Sequence, residues 1–320
     1  MNPSSLLDTL RPELAGSMME FDLAMNQAGL IATRVFPVME VGKPSGEFGK
    51  VTIESLLRTL PTERAPGAGY NRSQWQFTTD TFITQEHGHE SVVDAREAAI
   101  YRDFIDAEMI TAARCRNIVL QNAEIRLAAM LQNTGTYTPT SVTNEWDDHT
   151  NATPVTDVEA AIKRLWVKGI IGNALVVSRN VFRNLRLCNQ VRDIITASGA
   201  GQQAMPNEVT AMKLAEVFDL RYVIVGGGLK NTAKQGQTAS TSAVWSDEYA
   251  IVTRVAESND IAEPCIGRTF HYSEDGSQIG GTMESYYDPT VRGTVIRCRH
   301  DVQEKVLYTE ALELLNNITT

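Results

Sequence analysis

No apolar run in the 320 residues approaches the ~20 that a membrane-spanning helix needs. Cysteine is sparse. Cys115, Cys188, Cys265 and Cys298 are scattered with no CxxC pair, which argues against a structural zinc site and reads as free buried thiols in a reducing compartment. Basic charge is in deficit, with 29 Lys and Arg against 39 Asp and Glu, a formal net charge of −10. A protein built to grip nucleic acid usually shows the reverse. A wall that only encloses a polyanion would repel it rather than adhere. Met1 to Leu14 has no basic stretch leading into an apolar core, so no signal peptide is expected. There is no internal repeat and no low-complexity tract.

Motifs for bound groups and nucleophiles are incomplete. Gly226-Gly227-Gly228-Leu229-Lys230-Asn231-Thr232 follows an apolar run, but Leu229 separates glycine from Lys230, so the phosphate-loop Gly-Lys-Ser/Thr is missing. Gly67-Ala68-Gly69 lacks the third glycine of a dinucleotide fingerprint. No Gly-x-Ser-x-Gly elbow occurs. His87-Gly88-His89-Glu90 could pinch a metal, but a third ligand at suitable spacing is lacking; the segment reads as a strand-to-helix junction. Asp147 and Asp148 precede a helix and read as turn residues rather than a catalytic pair. Trp146, Trp166 and Trp245 are far apart and lack basic neighbours, so they read as packing residues, not a base-stacking platform. No cofactor, metal or catalytic residue is expected.

What the chain does have is long-range organisation. Residues 1–47 are broken by Pro3, Pro12, Pro37 and Pro44, with one short amphipathic helix through Leu14, Met18, Phe21 and Met25 that stops at Gly29. This is the pattern of an extended arm, with little to bury on its own body, tied down by a neighbouring subunit. Residues 49–86 read as a long hairpin: Val51 and Ile53 alternate outward, and Trp75 to Ile83 alternate on the return. Its tip, Ser55 to Ser73, carries Arg58, Glu63, Arg64 and Arg72 and is long for a compact domain. Two-stranded ribbons are marginal alone, so the tip is expected to lie on a partner.

Residues 91–132 give the strongest helical signal, entered by a Ser91–Asp94 capping pair and ended by Asn133-Thr134-Gly135, with a kink allowed near Tyr101–Asp106. Asn117 and Glu124 fall on its polar face, Cys115 and Ile125 on the other. Further helices are expected at Asp157–Lys168 (capped by Thr156), Asn180–Thr196 and Glu208–Phe218. Strands are expected at Ala174–Ser178, Tyr222–Val225, Glu248–Val255 and Arg268–Tyr272. From Arg292 to Tyr308, Thr294, Ile296, Cys298, His300 and Val302 alternate with a polar face that includes Arg297 and Arg299. That face must be solvated or paired with another subunit.

One ordered series brings these segments together. It runs Trp146-Asp147-Asp148; Thr153-Pro154-Val155-Thr156-Asp157-Val158; Asn173-Ala174-Leu175-Val176-Val177-Ser178 with Val181-Phe182-Arg183-Asn184-Leu185. Leu214-Ala215-Glu216-Val217-Phe218 with Val223-Ile224-Val225-Gly226 and Ala243-Val244-Trp245-Ser246-Asp247 follow, then Pro264-Cys265-Ile266-Gly267-Arg268-Thr269-Phe270 and the run from Arg292. In this order and spacing they resemble the major capsid proteins of tailed bacteriophages, over roughly residues 50–315. The resemblance implies an α+β fold with four parts. These are an N-terminal arm (1–47), an extended hairpin, the E-loop (48–87), a peripheral domain with a long spine helix and long-stranded sheet (88–136 and 288–320), and an α/β axial domain (137–287).

It also implies a structural role in the virion: self-assembly through pentamers and hexamers, in the host cytoplasm, into an icosahedral shell around double-stranded DNA. Partners would be further copies of the chain, scaffolding and portal proteins and decoration proteins, with no membrane. The expected subunit-interface residues are Phe21, Lys50, Arg58, Glu63, Arg64, Arg72, Trp75, Arg297 and Arg299. The same fold would also serve an encapsulin-type compartment. An enzyme using His87 and His89 is the least favoured reading.

Overall fold

In the computed structural model the described residues are 23–74, 77–101, 106–197, 205–234, 236–274, 276 and 278–319. Two five-stranded sheets carry the fold. The first is organised by β13 (Gly293–Val306). β4 (Gln85–Asp94) runs antiparallel along one side of it, from Val302 back to Gly293. On the other side lie β12 (Thr282–Asp288) and then β11 (Gly267–Tyr272), both antiparallel, with β1 (Val38–Val41) parallel to β11 at the edge. The second sheet has the order β5 (Thr140–Ser141), β14 (Leu312–Asn316), β10 (Ala250–Thr253), β6 (Ala174–Ser178), β7 (Tyr222–Gly226).

The inner strands β6, β10 and β14 of the second sheet bury both faces, and their alternation assigns the layers. Leu175, Val177, Val252 and Leu315 point into a core formed with α6 (Pro154–Val167), α7 (Arg179–Leu185), α8 (Asn189–Ala197) and α9 (Ala211–Val217). Ala174, Val176, Ile251 and Leu314 point the other way, against Leu127, Ala128 and Leu131 of α5 (Ala107–Leu131). At 25 residues and 1.5 Å per residue α5 spans about 37 Å. Asp106 caps its start, accepting from the Met109 amide at 3.0 Å. The helix also packs on the first sheet. Cys115, Val119 and Cys298 form a small buried cluster there, and Arg126 makes paired hydrogen bonds with Glu304 at 2.7 and 3.1 Å.

Several expectations are corrected by these contacts. Ser91 lies within β4 rather than at a helix start, whereas Asp94, the last residue of β4, accepts from the Arg96 amide at 2.7 Å and caps the short helix that follows. This is α4 (Ala95–Tyr101), and the long helix begins only at Ala107. His87 and His89 therefore lie within a strand, not at a junction. α6 starts at Pro154, with Thr153 in the cap position, rather than after Thr156. The expected single helix 180–196 breaks between Leu185 and Asn189. Asn117 and Glu124, assigned to a polar face, are buried. Sheet membership also cuts across the expected boundaries: β11 and β12, within 137–287, pair with β13, whereas β14 joins the second sheet.

The arm differs as well. Its helix through Leu14, Met18 and Phe21 lies outside the described residues. The rest is not a free arm: α1 (Leu23–Ala28) and α2 (Ala32–Val35) lie on α5, and Ile31, Val35 and Phe36 are fully buried in the subunit's own core. Phe36 sits so close to Gly267 that any Cβ there would overlap its ring.

Candidate assembly surfaces

The hairpin is real but starts and ends differently from its pattern. β2 (Ser45–Val51) pairs with β3 (Phe77–Ile83) from Ser45–Ile83 to Val51–Phe77. Ile53, expected in the strand, instead opens α3 (Ile53–Leu57), where the Thr52 hydroxyl caps the Ser55 amide. The ribbon is fastened to its own subunit. Phe82 stacks on Phe270 with centroids 4.7 Å apart, and Lys305 donates to Asp80 at 2.6 Å. Asp80 is held below its ordinary pKa: burial raises it, but Lys305 and the Thr81 amide outweigh that.

Beyond the ribbon the chain leaves the body. Every residue from Leu56 to Gln74 is exposed. The tip is shaped by its own contacts: Arg64 Nε donates to Ala68 O at 2.7 Å and covers the Tyr70 ring, and Asn71 donates to Pro61 O at 2.8 Å. Arg58, Glu63, Arg64 and Arg72 all lie on this exposed loop. The other named residues do not join them. Lys50 donates to the Leu307 carbonyl and lies over the Tyr308 ring, so it anchors the ribbon at home. Arg297 pairs with Glu90 and Glu284, and Arg299 with Glu284 at 2.9 Å, in a charged ladder across β4, β13 and β12. Arg297, Arg299, Gln303 and Lys305 of the polar face of β13 are thus paired within their own subunit. Such exposed pairs each contribute little, roughly 0–1 kcal/mol. Phe21 and Trp75 lie outside the described residues.

Two polar sites were not legible in the sequence. The first is Glu124. Its carboxylate, fully buried, accepts from the Ile31 amide at 3.0 and 2.9 Å, from the Ala32 amide at 2.6 Å and from the Trp245 indole at 2.5 Å. One side chain thereby joins the N-terminal helices, the long helix and the Trp245 loop. Burial nonetheless raises its pKa above the ordinary carboxylate value, outweighing these donors. The second is a histidine group under α5. His300 is buried, and neither ring nitrogen has a hydrogen-bond partner among the described residues. His87 stands edge-on at 6.1 Å between ring centroids, and His271, also buried, faces it from β11. Burial, with Arg126, His87 and His271 nearby, pushes the His300 pKa down to about 4 against the opposing pull of Glu304. His300 opens on a cavity of about 260 Å³ shared with Leu30, Arg116, Leu120 and Glu304.

The remaining sequence features resolve as packing. All four cysteines are buried and free, and burial pushes Cys188 up to about 12 and Cys298 to about 11. Such thiols are poor nucleophiles. Asp148 accepts from the amides of Thr150 and Asn151, a turn. Trp146 and Trp245 are core residues, but Trp166 is largely exposed. Among the described residues no group of three or more His, Cys, Asp or Glu is placed to hold a metal ion, and no helix is long and apolar enough to cross a membrane.

No protein-family model matches the chain, and no curated protein sequence matches it. Solved structures do. A phage-related protein from Bordetella bronchiseptica RB50 is 20% identical, with a TM-score of 0.64 over 92% of this chain and 96% of that one. The capsid of cyanophage P-SCSP1u matches at 9% identity, TM-score 0.58, over 88% and 86%. The SrpI encapsulin of Synechococcus elongatus PCC 7942 matches at 10% identity, TM-score 0.56, over 99% and 96%. The α+β architecture is that of shell-building proteins. Within that class, the chain has the phage major capsid fold.

Proposed function

We propose that this chain is a structural subunit of a closed protein shell, the major capsid protein of a tailed phage. Copies would form pentamers and hexamers that close an icosahedral shell around double-stranded DNA. The observation that carries the reading is the agreement of nearly the whole chain with capsid subunits, combined with a hairpin whose ribbon is fixed and whose tip is wholly exposed. A loop exposed at every residue from Leu56 to Gln74 is what a neighbour would cover. In this reading residues 48–87 are the inter-subunit hairpin, α5 with β4 and β13 form the peripheral body, and the second sheet with α6–α9 forms the axial part. Arg58, Glu63, Arg64 and Arg72 of the tip supply contacts, with Phe21 ahead of α1 and Trp75 completing the interface set, whereas Lys50, Arg297 and Arg299 hold the subunit's own ribbon and sheet. Scaffolding, portal and decoration proteins are the further partners, and assembly takes place in the host cytoplasm. The net charge of −10 suits a wall that holds DNA without gripping it.

A second reading, an encapsulin-type compartment, is supported by the SrpI encapsulin match over 99% of the chain. One purification separates the outcomes. Size-exclusion chromatography with light scattering, then micrographs, should give uniform hollow shells or capsomers. A single 35.3 kDa species at all concentrations and salt conditions would end both readings. Portal, terminase and tail genes beside the coding sequence favour the phage; a ferritin-like or peroxidase gene favours the compartment.

A further inference from the structure

Two exposed apolar clusters stand on opposite flanks of one layer. α6 lies over β14 and β10. It ends in Trp166 and Val167, 68% and 72% exposed, and Ile171 beyond the turn is 67% exposed. Gly169 makes that turn with φ +81°, and Leu57 of α3 rests directly on it, so Leu56 and Leu57 extend the same surface. At the far flank α9 lies over β7, the edge strand of the same sheet, and presents Met212 at 78% exposed, with Met205 just ahead of it.

The charges around the clusters are opposite. Lys163 and Lys168 are exposed beside Trp166, although Lys168 also pairs with Glu313. Glu208, Glu216 and Asp219 are exposed around Met212, with Lys213 among them, Arg186 bound to the Pro206 carbonyl beside Met205 and Arg221 paired with Glu257 at the edge. The first cluster sets one indole and four aliphatic side chains in the open, each between 58% and 72% exposed, an apolar area on the order of a few hundred Å², the scale at which a patch on a soluble chain marks an interface. Isolated soluble chains rarely leave such a patch bare.

We propose that the Trp166–Ile171 flank of one copy docks on the Met205–Met212 flank of the next copy. Because the two flanks are unlike in shape and charge, the contact is head-to-tail, and a head-to-tail contact repeats until a ring closes. Flexible methionines suit the receiving side, since they adapt to a rigid indole. The proposal rests on the shell reading and specifies which faces of the α6–α9 layer meet.

The test uses three forms of the full chain. In V167C/M212C, a short bis-maleimide should give a covalent ladder that ends at the ring size, with the native thiols shielded by burial. V167C alone should give no ladder. Val167→Asp faces the acidic flank and should raise the concentration needed for assembly by at least about tenfold, with unchanged circular dichroism. Assembly of Val167→Asp at wild-type concentrations, or crosslinking of V167C alone into dimers without a ladder in the double variant, would overturn the head-to-tail contact. Those results leave the shell reading standing if the wild type forms shells. A wild type that stays at 35.3 kDa removes both.

Discussion

His300 should make the subunit sensitive to mild acid in a calculable way. Its ring is buried and without hydrogen-bond partners among the described residues, and its neighbours include Arg126, His87 and His271 against Glu304. The folded chain therefore holds it neutral to about pH 4, whereas an unfolded chain takes up the proton near 6.5. Between those values the unfolded state binds more protons, so stability falls as pH drops from 6.5 towards 4 and is regained above 6.5. At 1.36 kcal/mol per pH unit the full difference amounts to about 3 kcal/mol.

Urea unfolding of the soluble subunit, followed by the fluorescence of buried Trp146 and Trp245, would measure this at pH 7.5, 6, 5 and 4.5. His300→Leu removes the titration and places an apolar group among Leu30, Leu120 and Val302. It should lie within about 1 kcal/mol of wild type at pH 7.5 and gain on wild type by up to about 2–3 kcal/mol at pH 4.5. Glu124 acts with the opposite sign. Its raised pKa contributes stability below the ordinary carboxylate value that is lost as pH rises through the folded value. That contribution is common to both proteins and cancels in their difference. Parallel stability curves for the two proteins between pH 7.5 and 4.5 would refute the assignment.

Three other outcomes are expected. Glu124→Ala strands the amides of Ile31 and Ala32 and the Trp245 indole; at about 1–3 kcal/mol per unsatisfied group it should cost at least 3 kcal/mol and speed hydrogen exchange in residues 23–41, and a loss under 1 kcal/mol would contradict the joint described for it. Replacing Thr59–Arg72 by a short glycine bridge spares α3 and its seat on Gly169, so circular dichroism should be unchanged while micrographs lose closed shells; normal shells would remove the interface role of the tip. EDTA should leave the melting temperature and particle morphology where they were, since no metal-ligand group occurs among the described residues, and particles that dissolve in EDTA would point to a metal at an interface.

Much of the fold was legible where the signal is local. Ala174–Ser178 and Tyr222–Gly226 are short buried runs between helix signals, and the alternation from Ile296 to Val302 matches its burial residue by residue, whereas ahead of it Val295 is buried and Thr294 only half-buried. The errors fall where distant pairing decides. Ser91 carries a helix-cap signature, but the β-branched Val92 and Val93 after it pair with Val295 and Thr294, so the ladder runs on to Asp94, which caps only the short α4. Glu124 reads as a solvated residue because its three donors arrive from positions 31, 32 and 245, which no helical periodicity can announce. The histidine group depends on the register of three strands in the same way. The hairpin tip was recognisable for the opposite reason: its length and its turn residues are local facts, and its exposure follows from having nothing nearby to pack on.

β13 gives the subunit a direction. Its hydrogen bonds lie across the strand, to β4 on one side and to β12 and β11 on the other. A pull along the strand loads all of these bonds together, in shear. A pull at right angles opens them one after another, as a zipper does. The body is therefore stiff along the line from Gly293 to Val306 and compliant across it. In a wall made of such units, the angle that β13 makes with the tension would decide whether the wall resists stretching or yields.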